Sequence, residues 1–180
     1  MPDPGDLLQA VGEIVLDLRS LGFDPVLVGG MALVVLGSRR VTRDFDFVIA
    51  HPGDRVARTV AVFYDHGLEL AAHLDDQGDV TSTIANRRVA ATRLRFDAPA
   101  SAFFFNRESG LRIDLLFDFP IPAAELVEGA TRIRIRSYQF TIASEQDLLR
   151  LKRIAKASRS ASGDTEDIAF LEARQKSGSA

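Results

Sequence analysis

Pro25-Val26-Leu27-Val28-Gly29-Gly30-Met31-Ala32-Leu33-Val34-Val35-Leu36-Gly37, followed by Arg40-Val41-Thr42-Arg43-Asp44-Phe45-Asp46-Phe47-Val48-Ile49, sets the architecture of this 180-residue chain. Pro25–Val28 is a short apolar β run that stops at Gly29-Gly30. There the missing Cβ lets backbone N–H groups approach an anion, and the start of a helix adds favourable partial charge. Met31–Leu36 is short enough for one buried helix, and Gly37 closes it. Asp44–Ile49 then alternates acid with aromatic before turning apolar, the pattern of a strand with one wet and one dry face. Asp44 and Asp46 project to the same side of it, their Cα atoms roughly 6.6 Å apart at ~3.3 Å per residue. A bare Gly-Gly is otherwise an ordinary turn, and a lone Asp-x-Asp a solvated strand face. Their occurrence together, with Arg40 and Thr42 between them, is what gives either of them weight.

Farther along, Leu111-Arg112-Ile113-Asp114-Leu115-Leu116-Phe117 is a second apolar strand carrying one carboxylate. Left unpaired and buried, Asp114 would cost several kcal/mol, so it must be neutralised, paired with one of the many arginines, or bound to a metal. A cation shared with Asp44 and Asp46 satisfies all three acids. Three hard oxygen donors, with no cysteine and no histidine pair at ligand spacing, suit Mg²⁺ or Mn²⁺ rather than Zn²⁺. Such ions keep open positions for phosphate oxygens, which makes a phosphate ester the expected substrate class.

The remaining pattern is read more coarsely. Leu7, Leu8, Val11, Ile14, Val15 and Leu18 predict a helix over 6–21, with Asp6 as cap and Gly22 as stop. A helix is expected over 54–66 and a strand from Leu68. Val89–Phe96, Ala102–Phe105, Arg132–Arg136 and Tyr138–Ile142 read as further strands. Helices over 144–157, capped by Ser144, and 164–175 close the chain, with Ser177–Ala180 as a loose tail. The expected class is α/β (α+β), a mixed sheet with flanking helices and a C-terminal helical segment. We read residues 1–180 as a single domain, with a core over 24–118 and the C-terminal helices over 144–176. No internal repeat or Pro/Gly/Ser-rich linker divides it.

Composition removes whole classes of function. Hydrophobic residues are 46% and charged residues 26%, an ordinary globular balance. With 22 Lys+Arg against 25 Asp+Glu there is no overall basic field for nucleic acid or acidic membrane. The absence of cysteine excludes disulfides, thiolate metal sites and a Cys nucleophile. An N-terminus carrying Asp3 and Asp6 lacks the cationic start of a secretory signal, and no apolar run approaches the ~18 residues of a membrane span, so a cytoplasmic protein is expected. His51, His66 and His73 show no ligand spacing. Phe103-Phe104-Phe105 reads as core. Arg132, Arg134 and Arg136 alternate with isoleucine, as on a solubilising edge strand or a contact strip for RNA or protein.

The order apolar strand, Gly29-Gly30, Arg40-x-Thr42-x-Asp44-x-Asp46, then Asp114 on a later strand resembles the nucleotidyltransferase superfamily with a DNA polymerase β-type palm. Within it the chain is most similar to AbiEii-like toxins and small bacterial nucleotidyltransferase domains. Ser144–Lys152, followed by Arg159, Asp164 and Asp167-Ile168, resembles the family's C-terminal helical segment, although Ser162-Gly163-Asp164 departs from its usual Lys/Arg-Asp. The likeness spans about 24–172. It implies that Gly29 and Gly30 line a triphosphate, that Asp44, Asp46 and Asp114 hold the metals, and that Asp114 helps deprotonate the attacking hydroxyl. Arg40, Thr42 and Lys152 fall on the nucleotide side, Thr42 reading equally as support for the loop and Lys152 as a surface lysine. The implied reaction moves an NMP from an NTP to an acceptor, for which tRNA and protein are the candidates. An antitoxin is the candidate partner.

Two other readings remain open: a non-catalytic descendant that binds nucleotide or a partner, and a phosphatase of the haloacid-dehalogenase type, since Asp44-Phe45-Asp46-Phe47-Val48 fits Asp-x-Asp-x-Thr/Val. That type needs an acidic pair after its lysine, whereas Asp75-Asp76 precedes Lys152. Neither Gly-x-x-x-x-Gly-Lys-Ser/Thr nor Gly-x-Gly-x-x-Gly occurs, which removes P-loop hydrolysis and hydride transfer.

Overall fold

Residues 3–158 and 162–179 are described by a computed structural model of the chain. Helix α1 (Pro4–Ser20) starts on a proline, whose fixed φ suits a first helical turn, and Asp3 caps it by accepting from the Gly5 amide at 3.3 Å. The start therefore precedes the expected Asp6 cap. Val11, Ile14, Val15 and Leu18 form its buried stripe. Strand β1 (Val26–Val28) leads directly into the short helix α2 (Gly29–Val35), and β2 (Asp44–Ile49) follows. A 3-10 turn at Gly53–Arg55 opens α3 (Val56–Asp65), after which β3 (Glu69–Leu74) and β4 (Val80–Ile84) form a hairpin.

The next segment overturns an expectation. Val89–Phe96 is not a strand but lies in helix α4 (Arg87–Asp97), with the Asn86 side chain accepting from the Arg88 and Val89 amides. Ala90, Ala91 and the half-buried Leu94 face inward, a helical spacing, while the arginines point out. Then come β5 (Ser101–Phe105), β6 (Arg112–Phe117), α5 (Ala123–Gly129), β7 (Thr131–Ile135) and β8 (Tyr138–Ile142). Helices α6 (Glu145–Ser158) and α7 (Ser162–Gly178) end the chain. Ser144 stands before α6 as expected, its hydroxyl accepting from the Asp147 amide at 3.0 Å. Helix α7 runs through Ser177 and Gly178, which replaces the loose tail expected there; Ala180 lies outside the described residues. Among those residues no helix is long and apolar enough to cross a membrane.

The eight strands form one mixed sheet in the order β4-β3-β5-β6-β2-β1-β8-β7. β1 pairs antiparallel with β2 and parallel with β8, and β2 pairs parallel with β6. The period of two along the central strands separates the layers. Phe45, Phe47, Ile113, Leu115 and Phe104 point into the core, where Phe104 stacks on Phe63 of α3 with ring centroids 4.0 Å apart. Asp44, Asp46, Arg112, Asp114, Ser101 and Phe103 point to the other face, into a cleft of about 520 Å³ closed in part by Leu148, Leu151 and Lys152 of α6. β7 is an edge strand with Arg132 and Arg134 exposed on it, whereas Arg136 lies past its end, in the turn to β8.

Candidate functional site

Pairing between β2 and β6 sets Asp46 directly opposite Asp114. On its other side Asp46 is in register with Val28, so the chain passes from Val28 into Gly29 right beside that carboxylate. Gly29 has φ +68, and a Cβ there would stand 2.1 Å from Asp46 Oδ2. Both the backbone angle and the contact demand glycine. At Gly30 a Cβ would come within 2.9 Å of Arg40 Nε. Asp44, at the exposed start of β2, is steadied by Thr42, whose hydroxyl accepts from the Asp44 amide at 3.3 Å. Thr42 thus supports the turn into the strand. Gly29, Gly30, Arg40, Thr42, Asp44, Asp46, Asp114 and Lys152 all line the one cleft.

The electrostatics of the acids follow from their crowding. Burial pushes the Asp114 carboxyl up from 3.8 to about 7, and the Asp46 charge pushes the same way. A hydrogen bond and the positive charge from Arg112 oppose that rise. Asp46 is likewise raised, chiefly by burial and secondarily by Asp44, against the pull of its hydrogen bond with Asp114 and the charges of Lys152 and Arg112. Two half-buried carboxyls in contact each disfavour the other's ionisation.

The cations take unexpected partners. Lys152 is buried, with Nζ 2.8 Å from Asp167 Oδ2 and 3.3 Å from Asp164 Oδ1. Arg40 bonds the same Asp167 oxygen. Both acids lie on the buried side of α7, so two cations aligned with the cleft also fasten the last helix to it. Arg159, noted with these residues in the sequence, lies outside the described ones. Asp114 also meets the alternative raised for it from sequence, because Arg112 Nε stands 3.0 Å from its Oδ1. The importance of Arg112 was missed, although Arg-x-Asp on one strand places both side chains on one face. The apolar cleft wall of Phe103, Leu148 and Leu151 had no distinguishing signal.

Among the described residues no three acidic or imidazole side chains are drawn together into a ready metal cage. The donor chemistry nonetheless fits a hard dication: an oxygen-only set in which the half-buried, crowded Asp46 and Asp114 have their pKa values raised and a cation would relieve their repulsion, with Asp44 at the rim. His51, His66 and His73 stay apart, bonded to Gly53, Asp17 and Ser82 respectively.

No family model matches the chain, and no curated protein matches it in sequence. Solved structures do. The lincosamide antibiotic adenylyltransferase LnuA, with lincomycin bound, superposes with a TM-score of 0.56 over 91% of this chain and 95% of that one, at 12% identity. An antigenic nucleotidyltransferase-like protein from Paracoccidioides brasiliensis gives 0.58 over 93% and 76%, at 17% identity. ANT(2″)-Ia in complex with adenylyl-2″-tobramycin gives 0.54 over 91% and 87%, at 14% identity. With a mixed sheet that sets carboxylates on neighbouring strands beside a glycine turn, and with these structures superposing over nine-tenths of its length, the chain has the nucleotidyltransferase fold.

Proposed function

We propose that the protein transfers a nucleoside monophosphate from an NTP to an acceptor hydroxyl, with pyrophosphate as leaving group. The pairing of Asp46 with Asp114 beside Gly29, in one cleft with Arg40, Thr42 and Lys152, is the observation that supports this reading. Asp44, Asp46 and Asp114 would hold Mg²⁺ or Mn²⁺, which when bound supplies Lewis-acid activation and charge neutralisation at the α-phosphate. Gly29 and Gly30 leave the backbone open to a triphosphate, and Arg40 and Lys152 lend positive potential to that wall. The Asp114 carboxylate takes the proton of the attacking hydroxyl. tRNA or protein is the acceptor this reading adopts, in the cytoplasm, with an antitoxin as partner. A hydroxylated small molecule competes, since LnuA is bound to lincomycin and ANT(2″)-Ia to adenylyl-2″-tobramycin.

Purified protein mixed with α-labelled NTPs, Mg²⁺ or Mn²⁺, and cell RNA or protein should pass label to an acceptor. Asp46→Asn should lower that rate at least ~10²-fold, because charge stabilisation by a bound metal is worth several kcal/mol. Silence of the wild-type protein across these acceptors and small hydroxylated ones would overturn the reading. A second reading, nucleotide binding without turnover, is favoured by one observation: Arg112 and Lys152 are already paired with acids. Calorimetry showing Mg–NTP binding in the absence of pyrophosphate release would select it.

A further inference from the structure

Arg112 occupies a position that the reaction scheme leaves unexplained. It stands two residues before Asp114 on β6, on the same face, and in register with Asp44 of β2. A side chain there must reach forward along the strand to touch Asp114, and the guanidinium does so, Nε lying 3.0 Å from Oδ1. Its Nη1 donates to the Gly78 carbonyl at 2.6 Å, at the tip of the β3–β4 hairpin. Its plane lies over the Phe103 ring, 4.5 Å from the centroid, and Phe103 is itself the β5 partner of Asp114. Only 18% of the side chain is exposed. The tip it holds is a tight turn, in which Asp75 Oδ1 accepts from the Gln77 and Asp79 amides at 2.9 Å. A planar fork with several donors makes such a two-directional contact on an aromatic face; an ammonium on a flexible stem does not.

Resting on the nucleotidyl-transfer reading, we propose that Arg112 is a positioning residue, which fixes the orientation of the Asp114 carboxylate and ties it to the tip of the β3–β4 hairpin. The hairpin is thereby coupled to the cleft through Arg112, which does line it: moving residues 75–79 moves the guanidinium, and with it the acid that meets Asp46. Phe103 is the floor that keeps the guanidinium plane fixed between its two partners.

Arg112→Lys is the decisive variant, because it keeps the charge and removes the fork; Arg112→Met removes both. Backbone hydrogen exchange of the metal-free protein reads the tie, and steady-state transfer with Mg²⁺ and NTP reads the positioning. In Arg112→Lys the amides of residues 75–79 should exchange at least ~10-fold faster while β1 and β2 keep their rates, as expected of a local opening. Turnover at saturating NTP should fall ~10- to 100-fold, the usual scale for groups that orient a ligand side chain, with KM for NTP within about twofold of wild type. Wild-type turnover in Arg112→Lys overturns the positioning role, and wild-type exchange at 75–79 overturns the tie. If the wild-type chain transfers nothing to any acceptor, the proposed reaction fails, and the exchange arm still decides whether Arg112 couples hairpin to carboxylate.

Discussion

Gly29 shows how little freedom the cleft leaves to a single residue. Its φ of +68 and the 2.1 Å that would separate a Cβ from Asp46 Oδ2 act together, so Gly29→Ala must strain the backbone and push the carboxylate aside. We expect a stability loss of about 1–3 kcal/mol in urea unfolding and a transfer rate at least ~10-fold lower. A variant with full stability and rate would show that the chain reshapes here at no cost. Gly29, Asp44 and Asp46 were legible in sequence because period two and glycine punctuation are local signals. Arg112 was not: its meaning depends on Gly78 and Phe103, which reach it only through strand pairing.

Helix α7 is held by charge where the cleft needs charge. Lys152 bridges Asp164 and Asp167, and Arg40 shares Asp167. Breaking a buried ion pair by removing one partner costs about 3–5 kcal/mol, and the remaining Arg40 contact sets the expectation for Lys152→Met near the lower end. Denaturant unfolding should register that loss, and the amides of α7 should lose exchange protection. Unchanged stability would make Lys152 a group serving ligand alone. The helix itself was legible from its flanking pattern, but its length was not, since Ser177 and Gly178 carry a weak helical preference and stand exposed at its end. Conversely α4 was mistaken for a strand because Val89 and Phe96 are β-prone side chains, although both are exposed and Ala90, Ala91 and Leu94 make the contact.

Across the whole molecule the raised pKa of Asp114 links stability to pH. Asp114 rises from 3.8 to about 7 on folding, so between those values the fold holds a proton that the unfolded chain has released. Below 3.8 both states are protonated and the group has no effect; as pH climbs to about 7 stability declines, and above that it stays at the lower level. The denaturation midpoint of the metal-free protein should therefore fall across that window, and Asp114→Asn should flatten the slope. A midpoint that rises with pH in the wild type and is unaltered by the substitution would refute the linkage. The mixed character of the sheet was legible from the sequence, whereas its strand order and register were not, because they arise from crossovers between segments far apart in the chain.

That parallel join between β2 and β6 has a consequence for the newborn polypeptide. Loop closure of this span is slow and comes late, since contacts between remote segments must wait for the chain between them to be ordered. A ribosome-bound chain that has not yet released Phe117 carries Asp44 and Asp46 without their β6 partner, so the paired carboxylates cannot assemble until synthesis has passed that point.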